Sequence, residues 1–394
     1  MESLKSMYNN MSDMSKMLIK MLLGIIAALL FMFLIVFVVR IIGGGKKGYS
    51  STESTMQSAA VKYFKKHKNK LPLDNEEAVV NVNTLVSEEY MKELTKYVGK
   101  NTTCKGNVTV LNNDGNYIYL PYLDCGKKYK TELLKDNILK DNEVVESGDG
   151  LYLDDDGNYI FRGEFVNNYL IFNNLKFRIL RINADGSIKL FLAGPIKGYK
   201  STIWDDRYNI EKDDKTGINN YAKSRIKDYL YTIYKDDEIF NNNARALMKK
   251  QSLCVASRDI DSEDLTDAQE CSETLDNEEL GLLQLNEYVL PSIDENCTKA
   301  SDKSCINYNY MKSYQQSFWS ITPYADDTYQ VYRIANAVYL AKAKSTGSVL
   351  FTLSLSDKAQ LKSGDGSSEN PYIVKDYNKS SNDKIKNASY EVIK

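Results

Sequence analysis

The stretch Lys176–Leu192, KFRILRINADGSIKLFL, decides the fold of the larger part of this chain. Its two halves, Lys176–Ile182 and Ser187–Leu192, are rich in apolar and β-branched residues, whereas Asn183 to Gly186 include the Asn, Asp and Gly typical of tight turns. Two such runs joined by a short turn predict paired β-strands. The sequence therefore predicts a sheet at this point.

Segments on both sides of this stretch repeat the same signals. Upstream, Leu151–Leu153 and Tyr159–Phe161 flank the turn Asp154–Asn158, which predicts a further hairpin. The remaining predicted elements are a strand at Tyr169–Phe172, helices at Tyr221–Tyr234 and Glu238–Lys250, a mixed segment at Tyr329–Lys344 and a strand at Ser348–Leu355. The expected fold class is α+β, with one larger domain at 150–375.

A smaller module precedes this domain. Met56–Leu71 has apolar residues on one face and is limited by Pro72, and Leu85–Tyr97 predicts a second helix. Gly106–Leu111 and Tyr117–Tyr122 alternate around an Asp-Gly turn, which is a strong hairpin signal. We predict an α+β module at 56–135.

The N-terminal region contains the most hydrophobic segment of the chain. Met21–Val39 comprises nineteen residues without a charge. As a helix it would be about 28 Å long, close to the ~30 Å hydrocarbon core of a bilayer. We therefore predict a cytoplasmic N-terminus at 1–16, a transmembrane anchor in contact with membrane lipid at 17–42, and a flexible Gly/Ser-rich linker at 43–55.

The cysteines indicate on which side of the membrane the body of the chain lies, since the flanking lysines and arginines do not. The chain has six cysteines and a single histidine, and none of the cysteines has the spacing of a zinc or redox site. Their order suggests three local disulfides: Cys104 with Cys125, Cys254 with Cys271, and Cys297 with Cys305. Disulfides are typical of oxidising compartments, so we predict that the C-terminal domains are extracellular. The alternative is six buried free thiols in the cytosol.

Composition and motifs restrict the chemistry. A net charge of −2 at pH 7 offers no strong field for nucleic acid, which we do not expect as a partner. His67 lies in a lysine cluster, and nucleophile, metal-protease and phosphate-loop motifs are missing from the sequence. We therefore expect no enzymatic activity, no cofactor and no metal.

The candidate ligand-binding residues belong to two segments with tryptophans. Trp204, Asp205 and Arg207 lie in STIWDDRYN, and Trp319 and Tyr324 lie in FWSITPY. Aromatic rings beside carboxylates and an arginine are what sugar or peptide recognition uses. Alternatively, both tryptophans are core residues and the charged residues beside Trp204 form a structural salt bridge.

Six segments in order resemble the landmarks of an uncharacterised domain family found in exported surface proteins of low-GC Gram-positive bacteria. They are Lys176–Leu190, Ser201–Asn209, Ser224–Tyr234, Gly281–Tyr288, Phe318–Tyr324 and Gly364–Val374. The arrangement of strands and helices is similar to C-type-lectin-like folds, and residues 17–135 resemble pilin-like N-terminal modules of such proteins. The resemblance implies an exported surface protein and transfers no functional residues.

The sequence thus predicts a single-pass membrane protein with an extracellular pilin-like module, a larger head and a flexible tail at 376–394. We expect the head to bind a cell-wall polymer, a glycan or a protein, as an adhesion module would. The alternative is a structural subunit of a pilus-like or other surface assembly, which would associate through its apolar helix.

Overall fold

The computed structural model describes Ser12, Met14, Ser15 and residues 48–314 and 316–377. The predicted anchor at 17–42, nearly all of the N-terminus at 1–16 and most of the tail at 376–394 lie outside the described residues. Within the part that is described, no helix is both long enough and apolar enough to cross a membrane. The fold is mixed α+β, with extensive sheets and few helices.

The chain divides into two compact units. Of the described residues, the first unit contains those up to Lys66, Val80–Val108 and Pro121–Lys130. The second unit contains His67–Val79, Thr109–Leu120 and the described residues from Thr131 onward. The domain boundaries expected at 56–135 and 150–375 remain predictions.

The N-terminal elements are short apart from one helix and two strands. Helix α1 covers residues 48–66, and the other elements up to residue 124 are β1 (Glu76–Asn81), α2 (Val82–Ser87), α3 (Thr95–Val98), β2 (Lys105–Asn113) and β3 (Asn116–Asp124). The three strands form a sheet in the order β1-β2-β3. The predicted hairpin is present, with Asp114 and Gly115 at φ 53° and 75° in its turn. Positive φ at both central residues is what a two-residue hairpin turn requires.

Helix α1 starts earlier than the sequence pattern indicates, so the flexible linker predicted at 43–55 is wrong for residues 48–55. The hydroxyl of Thr52 donates to the carbonyl of Gly48 at 2.8 Å, and that of Thr55 donates to Ser51 at 2.9 Å. Tyr129 stacks on Tyr49 and donates its hydroxyl to Glu53 at 2.8 Å. The contacts with Tyr129 stabilise a helix in this segment of low helix propensity, since hydroxyl bonds to the preceding turn do not by themselves strengthen a helix.

The single helix predicted at Leu85–Tyr97 is also wrong, because the segment forms α2 and α3 with a break between them. Glu89, just beyond the end of α2, has φ 62°, which no α-helix accommodates. The amphipathic pattern continued across this break, but local backbone geometry interrupted it.

The second unit contains most of the strands. Its elements are α4 (Leu134–Asp141), β4 (Gly150–Leu153), β5 (Tyr159–Arg162), β6 (Tyr169–Phe172), β7 (Leu175–Ile182), β8 (Ile188–Leu192), β9 (Ser201–Ile203), α5 (Arg225–Lys235), α6 (Asn242–Leu247), β10 (Met248–Lys249), β11 (Gln251–Cys254), β12 (Thr274–Glu278), β13 (Gly281–Leu282), α7 (Leu285–Val289), β14 (Phe318–Pro323), β15 (Gln330–Ile334), β16 (Val338–Lys342), β17 (Thr346–Ser348), β18 (Phe351–Leu355), β19 (Leu361–Ser363) and β20 (Tyr372–Val374).

Two sheets organise this unit. The larger has the path β10-β18-β8-β7-β6-β20-β19, to which β4, β5 and β13 add, and the smaller has the order β16-β15-β14-β17-β9. The hairpin β7–β8 is at the centre of the larger sheet, with Ile179 opposite Leu190 and Ile182 opposite Ile188. All five residues of β8 are buried, which explains its continuous apolar pattern. The strands predicted from Leu151 to Leu192 are thus confirmed.

The helices of this unit are shorter than predicted. The segment predicted as Tyr221–Tyr234 is a 3₁₀ turn followed by α5, which Ser224 caps by accepting from the amide of Lys227. The segment predicted as Glu238–Lys250 contains α6, but its last residues pair with β18, Met248 opposite Leu355. Sheet pairing outcompetes the local helical pattern there.

The three predicted disulfides are all present. They are Cys104–Cys125 in the first unit, and Cys254–Cys271 and Cys297–Cys305 in the second unit. No cysteine is free. Bridges that close loops of this size stabilise a domain by about 3 kcal/mol each on the chain-entropy model.

Candidate binding surface

The two tryptophan segments, far apart in sequence, come together in the smaller sheet. Trp204 follows β9, and its indole N–H donates to the carbonyl of Ser320 in β14 at 3.1 Å. Trp319 in β14 donates its indole N–H to the carbonyl of Thr202 in β9 at 3.0 Å. Both side chains are fully buried. The indole of Trp204 therefore holds β14, and the indole of Trp319 holds β9.

Strand β17 lies between β9 and β14, and a glycine makes this packing possible. A Cβ added at Gly347 would lie 2.7 Å from the indole nitrogen of Trp319, which is too close for real atoms. The guanidinium of Arg333 lies 4.9 Å from the centre of the Trp319 ring. Trp319 is thus enclosed by its neighbours and presents no face to a ligand.

Asp205 and Arg207 support the loop that follows β9. Asp205 is buried, and one of its carboxylate oxygens accepts from Arg207 Nε at 2.8 Å and from the amide of Ile218 at 2.7 Å. Arg207 in turn donates to the carbonyls of Ile218 at 3.3 Å and Asn220 at 3.2 Å. The pair ties the beginning of the loop to its end.

A second loop lies against the first. Asn219 donates from its side-chain amide to the carbonyls of Tyr324 at 3.1 Å and Asp327 at 2.9 Å. The hydroxyl of Thr328 donates to Glu211 at 2.9 Å and accepts from the side chain of Asn209 at 3.0 Å. We refer to residues 205–220 and 324–330 as the paired loops.

The paired loops expose apolar side chains at their surface. Ile210 is 87% exposed and Tyr208 is 49% exposed, although the backbone around them is held by the hydrogen bonds described above. Tyr208 also donates its hydroxyl to Asp213, which raises the tyrosine pKa. Loops that a rigid scaffold holds in place often carry binding residues.

Exposed charged residues share the paired loops with these apolar side chains, and they include Lys212 and Lys215. The exposed acidic residues of the paired loops are Asp206, Glu211, Asp213, Asp214 and Asp326. Tyr324 donates its hydroxyl to Asp326 at 2.7 Å, and this hydrogen bond raises the pKa of Tyr324 to about 12. The phenol therefore remains a neutral hydrogen-bonding group at physiological pH.

The residues predicted from the sequence to bind a ligand thus differ in their location. Trp204 and Trp319 are core residues, and the buried Asp205 paired with Arg207 is the structural salt bridge that the alternative interpretation anticipated. Tyr324 is half-buried within the second loop. Sequence reasoning missed Ile210, whose signal was a single branched apolar residue in the otherwise polar stretch Arg207–Lys215.

One group of potential metal ligands occurs among the described residues. Ligand atoms of Cys254, Asp267 and Cys271 lie within 4.8 Å of one another. The two sulfurs form a disulfide, so neither can act as a thiolate ligand. The proximity reflects the disulfide and its neighbouring carboxylate.

No known protein-family model, curated protein or solved structure matches this chain.

Proposed function

We propose that this chain is a membrane-anchored extracellular surface protein that binds a ligand through the paired loops. The observation that carries the proposal is Ile210, which is 87% exposed on a loop whose backbone is held by the buried Asp205. Exposing a branched apolar side chain on a supported loop has a free-energy cost that contact with a ligand removes.

The exterior location is supported by the three disulfides. Such bonds persist in oxidising spaces and are rare in the reducing cytosol. Residues 17–42 supply the proposed membrane contact. The resemblance to exported surface proteins agrees with this location.

The paired loops favour a ligand with an apolar face and positively charged or hydroxyl groups. Tyr208 and Ile210 offer apolar contact area, and the exposed carboxylates of the paired loops can accept further hydrogen bonds from such groups. An amino-sugar polymer of the cell wall combines a sugar face with hydroxyl and amine groups. We therefore propose a wall glycan as the ligand class, within a lectin-like head that serves adhesion.

Binding of the detergent-solubilised full chain to purified peptidoglycan and to a panel of amino-sugar oligosaccharides tests this proposal. The double variant Tyr208→Ser/Ile210→Ser removes the apolar contacts without touching the Asp205–Arg207 support. We expect it to bind about tenfold more weakly or worse, as loss of an interface anchor does.

The matched control is Leu153→Ser, which removes an apolar side chain that is 53% exposed on β4, outside the paired loops. It should bind as the unmodified chain does. If the unmodified chain binds no glycan or peptidoglycan, or if the double variant binds equally well, the proposed ligand class or the proposed surface is wrong.

A second candidate function is a structural subunit of a pilus-like assembly. The observation in its favour is α1, whose face Met56, Ala59, Ala60, Tyr63 and Phe64 is buried within the first unit while helical structure extends back to residue 48. A helix of this kind beside a proposed apolar anchor resembles pilin-like modules. Cross-linking in membranes that gives ladders through the anchor would support assembly over adhesion.

A further inference from the structure

A lysine, a glutamine and a glutamate meet in the interior of the second unit. Lys189 lies on β8, at the centre of the larger sheet, whereas Gln284 and Glu287 lie at the start of α7. All three are at most 4% exposed. We call these three residues the buried triplet.

The contacts within the buried triplet are short and specific. The Lys189 amine lies 3.4 Å from the Gln284 side-chain oxygen and forms a close ion pair with Glu287 Oε1. The second oxygen of Glu287 accepts from the Gln284 backbone amide at 3.1 Å. Arg181 lies 3.2 Å from Glu287 Oε1. Glu287 thus holds the amine and the glutamine residue beside each other.

The glutamine amide nitrogen has no such support. Gln284 Nε2 is buried and has no hydrogen-bond partner among the described residues. A buried amide nitrogen without a partner is uncommon in folded proteins and calls for an explanation. Gln284 Nε2 is bonded to Cδ, the same carbon that carries the oxygen Oε1 facing the Lys189 amine.

The protonation states of the buried triplet favour reaction between amine and amide. Burial lowers the pKa of Lys189, and the nearby Glu287 only partly opposes this effect. Burial also disfavours the charged form of Glu287, but Lys189 and Arg181 outweigh it and hold the pKa of that carboxyl low. The carboxylate of Glu287 is therefore ionised and in contact with an amine whose charged form burial disfavours, so it can take the proton that the amine must lose.

We propose that Lys189 and Gln284 become joined by an intramolecular amide bond, with Glu287 as the proton carrier. The Lys189 ammonium gives one proton to Glu287, and the freed lone pair of Nζ attacks Cδ of Gln284. A second proton from Nζ passes to Nε2, and the Cδ–Nε2 bond breaks. Ammonia leaves with the proton returned by Glu287, and no oxidant or cofactor is needed.

Fixed proximity is what allows this reaction without an enzyme. Well-oriented groups within one molecule react with effective concentrations of about 10⁵–10⁸ M. All three side chains are at most 4% exposed, so bulk water has little access to the acyl group. The bond would tie the central strand β8 to α7, 95 residues away in sequence.

Intact-mass measurement of the purified, reduced and alkylated full chain tests the proposal directly. The measured mass of the chain without substitutions should be lower than the mass calculated from its sequence by one ammonia, about 17 Da. Trypsin should leave Lys189 uncut and release the peptide 182–197 joined to the peptide 259–299. An unshifted mass, or a loss of ammonia that maps to other residues, would overturn the proposal.

Variants separate the three roles. Lys189→Arg keeps a positive charge beside Glu287 but lacks the amine, Gln284→Met lacks the acyl group, and Glu287→Gln lacks the proton acceptor. Each should restore the unshifted mass, whereas Lys249→Arg, an exposed lysine on β10, should keep the loss of ammonia. The cross-linked peptide of the unmodified chain decides the question even if a variant fails to fold. Persistence of the loss of ammonia in Lys189→Arg would contradict the assignment.

Discussion

Two arginine–carboxylate pairs of the second unit have similar geometry and very different surroundings. Arg258 Nη1 lies 2.7 Å from Glu270 Oε2 in the interior, where neither side chain is exposed. Arg225 Nη1, at the start of α5, lies 2.9 Å from Asp206 Oδ2 of the paired loops, and these side chains are 58% and 48% exposed. The comparison shows that distance alone does not set the strength of an ion pair, because burial decides how much water screens it.

Both residues of the interior pair make further hydrogen bonds. Arg258 also donates to the carbonyl of Thr266 at 2.9 Å, and its backbone amide donates to Pro323 of β14 at 3.0 Å. Glu270 accepts from the amide of Asn286 in α7 at 3.3 Å. Arg258 and Glu270 thus connect β14 and α7 with the segment that the Cys254–Cys271 disulfide closes, whereas the exposed pair connects only a loop to a helix.

The largest expected effect is on the interior pair. Arg258→Met leaves Glu270 buried without a counter-ion and should lower the free energy of unfolding by about 3–5 kcal/mol. Chemical denaturation of the purified full chain measures this loss. The double variant Arg258→Met/Glu270→Met should recover a large part of it, because no uncompensated charge remains. If the single variant lost less than about 1 kcal/mol of unfolding free energy, the interior pair would matter no more than an exposed pair, which contradicts the role given to burial.

A smaller effect is expected where the tryptophans pack. Gly347→Ala places a methyl group against the Trp319 indole and should cost about 1–3 kcal/mol through overpacking. Gly48→Ala, where a Cβ meets no atom within 4 Å, is the matched control and should leave stability essentially unchanged. Equal melting temperatures for both variants would show that the Trp319 ring is not enclosed as described.

Acid should weaken the turn between β7 and β8. Burial raises the pKa of Asp185, but hydrogen bonds from Lys249 and Ser187 outweigh it and lower the pKa to about 2. Because the folded pKa lies below the ordinary value near 3.8, this carboxylate contributes stability above pH ~4 that is lost as the pH falls towards 2. In Asp185→Asn, the melting temperature should therefore depend less on pH over that range. An unchanged slope in the variant would assign the acid sensitivity to other groups.

The smallest effect is expected at the exposed pair. Asp206→Asn breaks the contact with Arg225 and should change the free energy of unfolding by about 0–1 kcal/mol. Its melting temperature in low and high salt should be nearly that of the unmodified chain. A loss as large as that for Arg258→Met would refute the distinction drawn between the two pairs.

The strands of the larger sheet were predictable because their signals are local. Apolar runs and the Asn, Asp and Gly turns between them mark β4 to β8. Each predicted strand end lies within one residue of the observed end, and Tyr169–Phe172 agrees at both ends. The helix predicted to end at Lys250 failed because its last residues pair with β18, about one hundred residues later. Periodicity records which face is buried, but it does not record which distant strand competes for the backbone.

The candidate surface was predictable only in part for the same reason. The segments around Trp204 and Trp319 do come together, but both tryptophans, predicted as ligand-binding residues, are buried, and their reciprocal hydrogen bonds depend on the order of β9, β17 and β14. The approach of Lys189 to Gln284 likewise depends on sheet topology. A residue's type limits its chemistry, whereas the fold decides whether that residue is displayed or enclosed.

The most direct test of an exported surface protein is cysteine labelling on intact cells. A membrane-impermeant maleimide is applied before and after treatment with a membrane-impermeant reductant. All six cysteines are paired in the structure, so we predict no labelling before reduction and strong labelling afterwards. Labelling that requires cell lysis, and that occurs without any reductant, would place free thiols inside the cell and contradict the account.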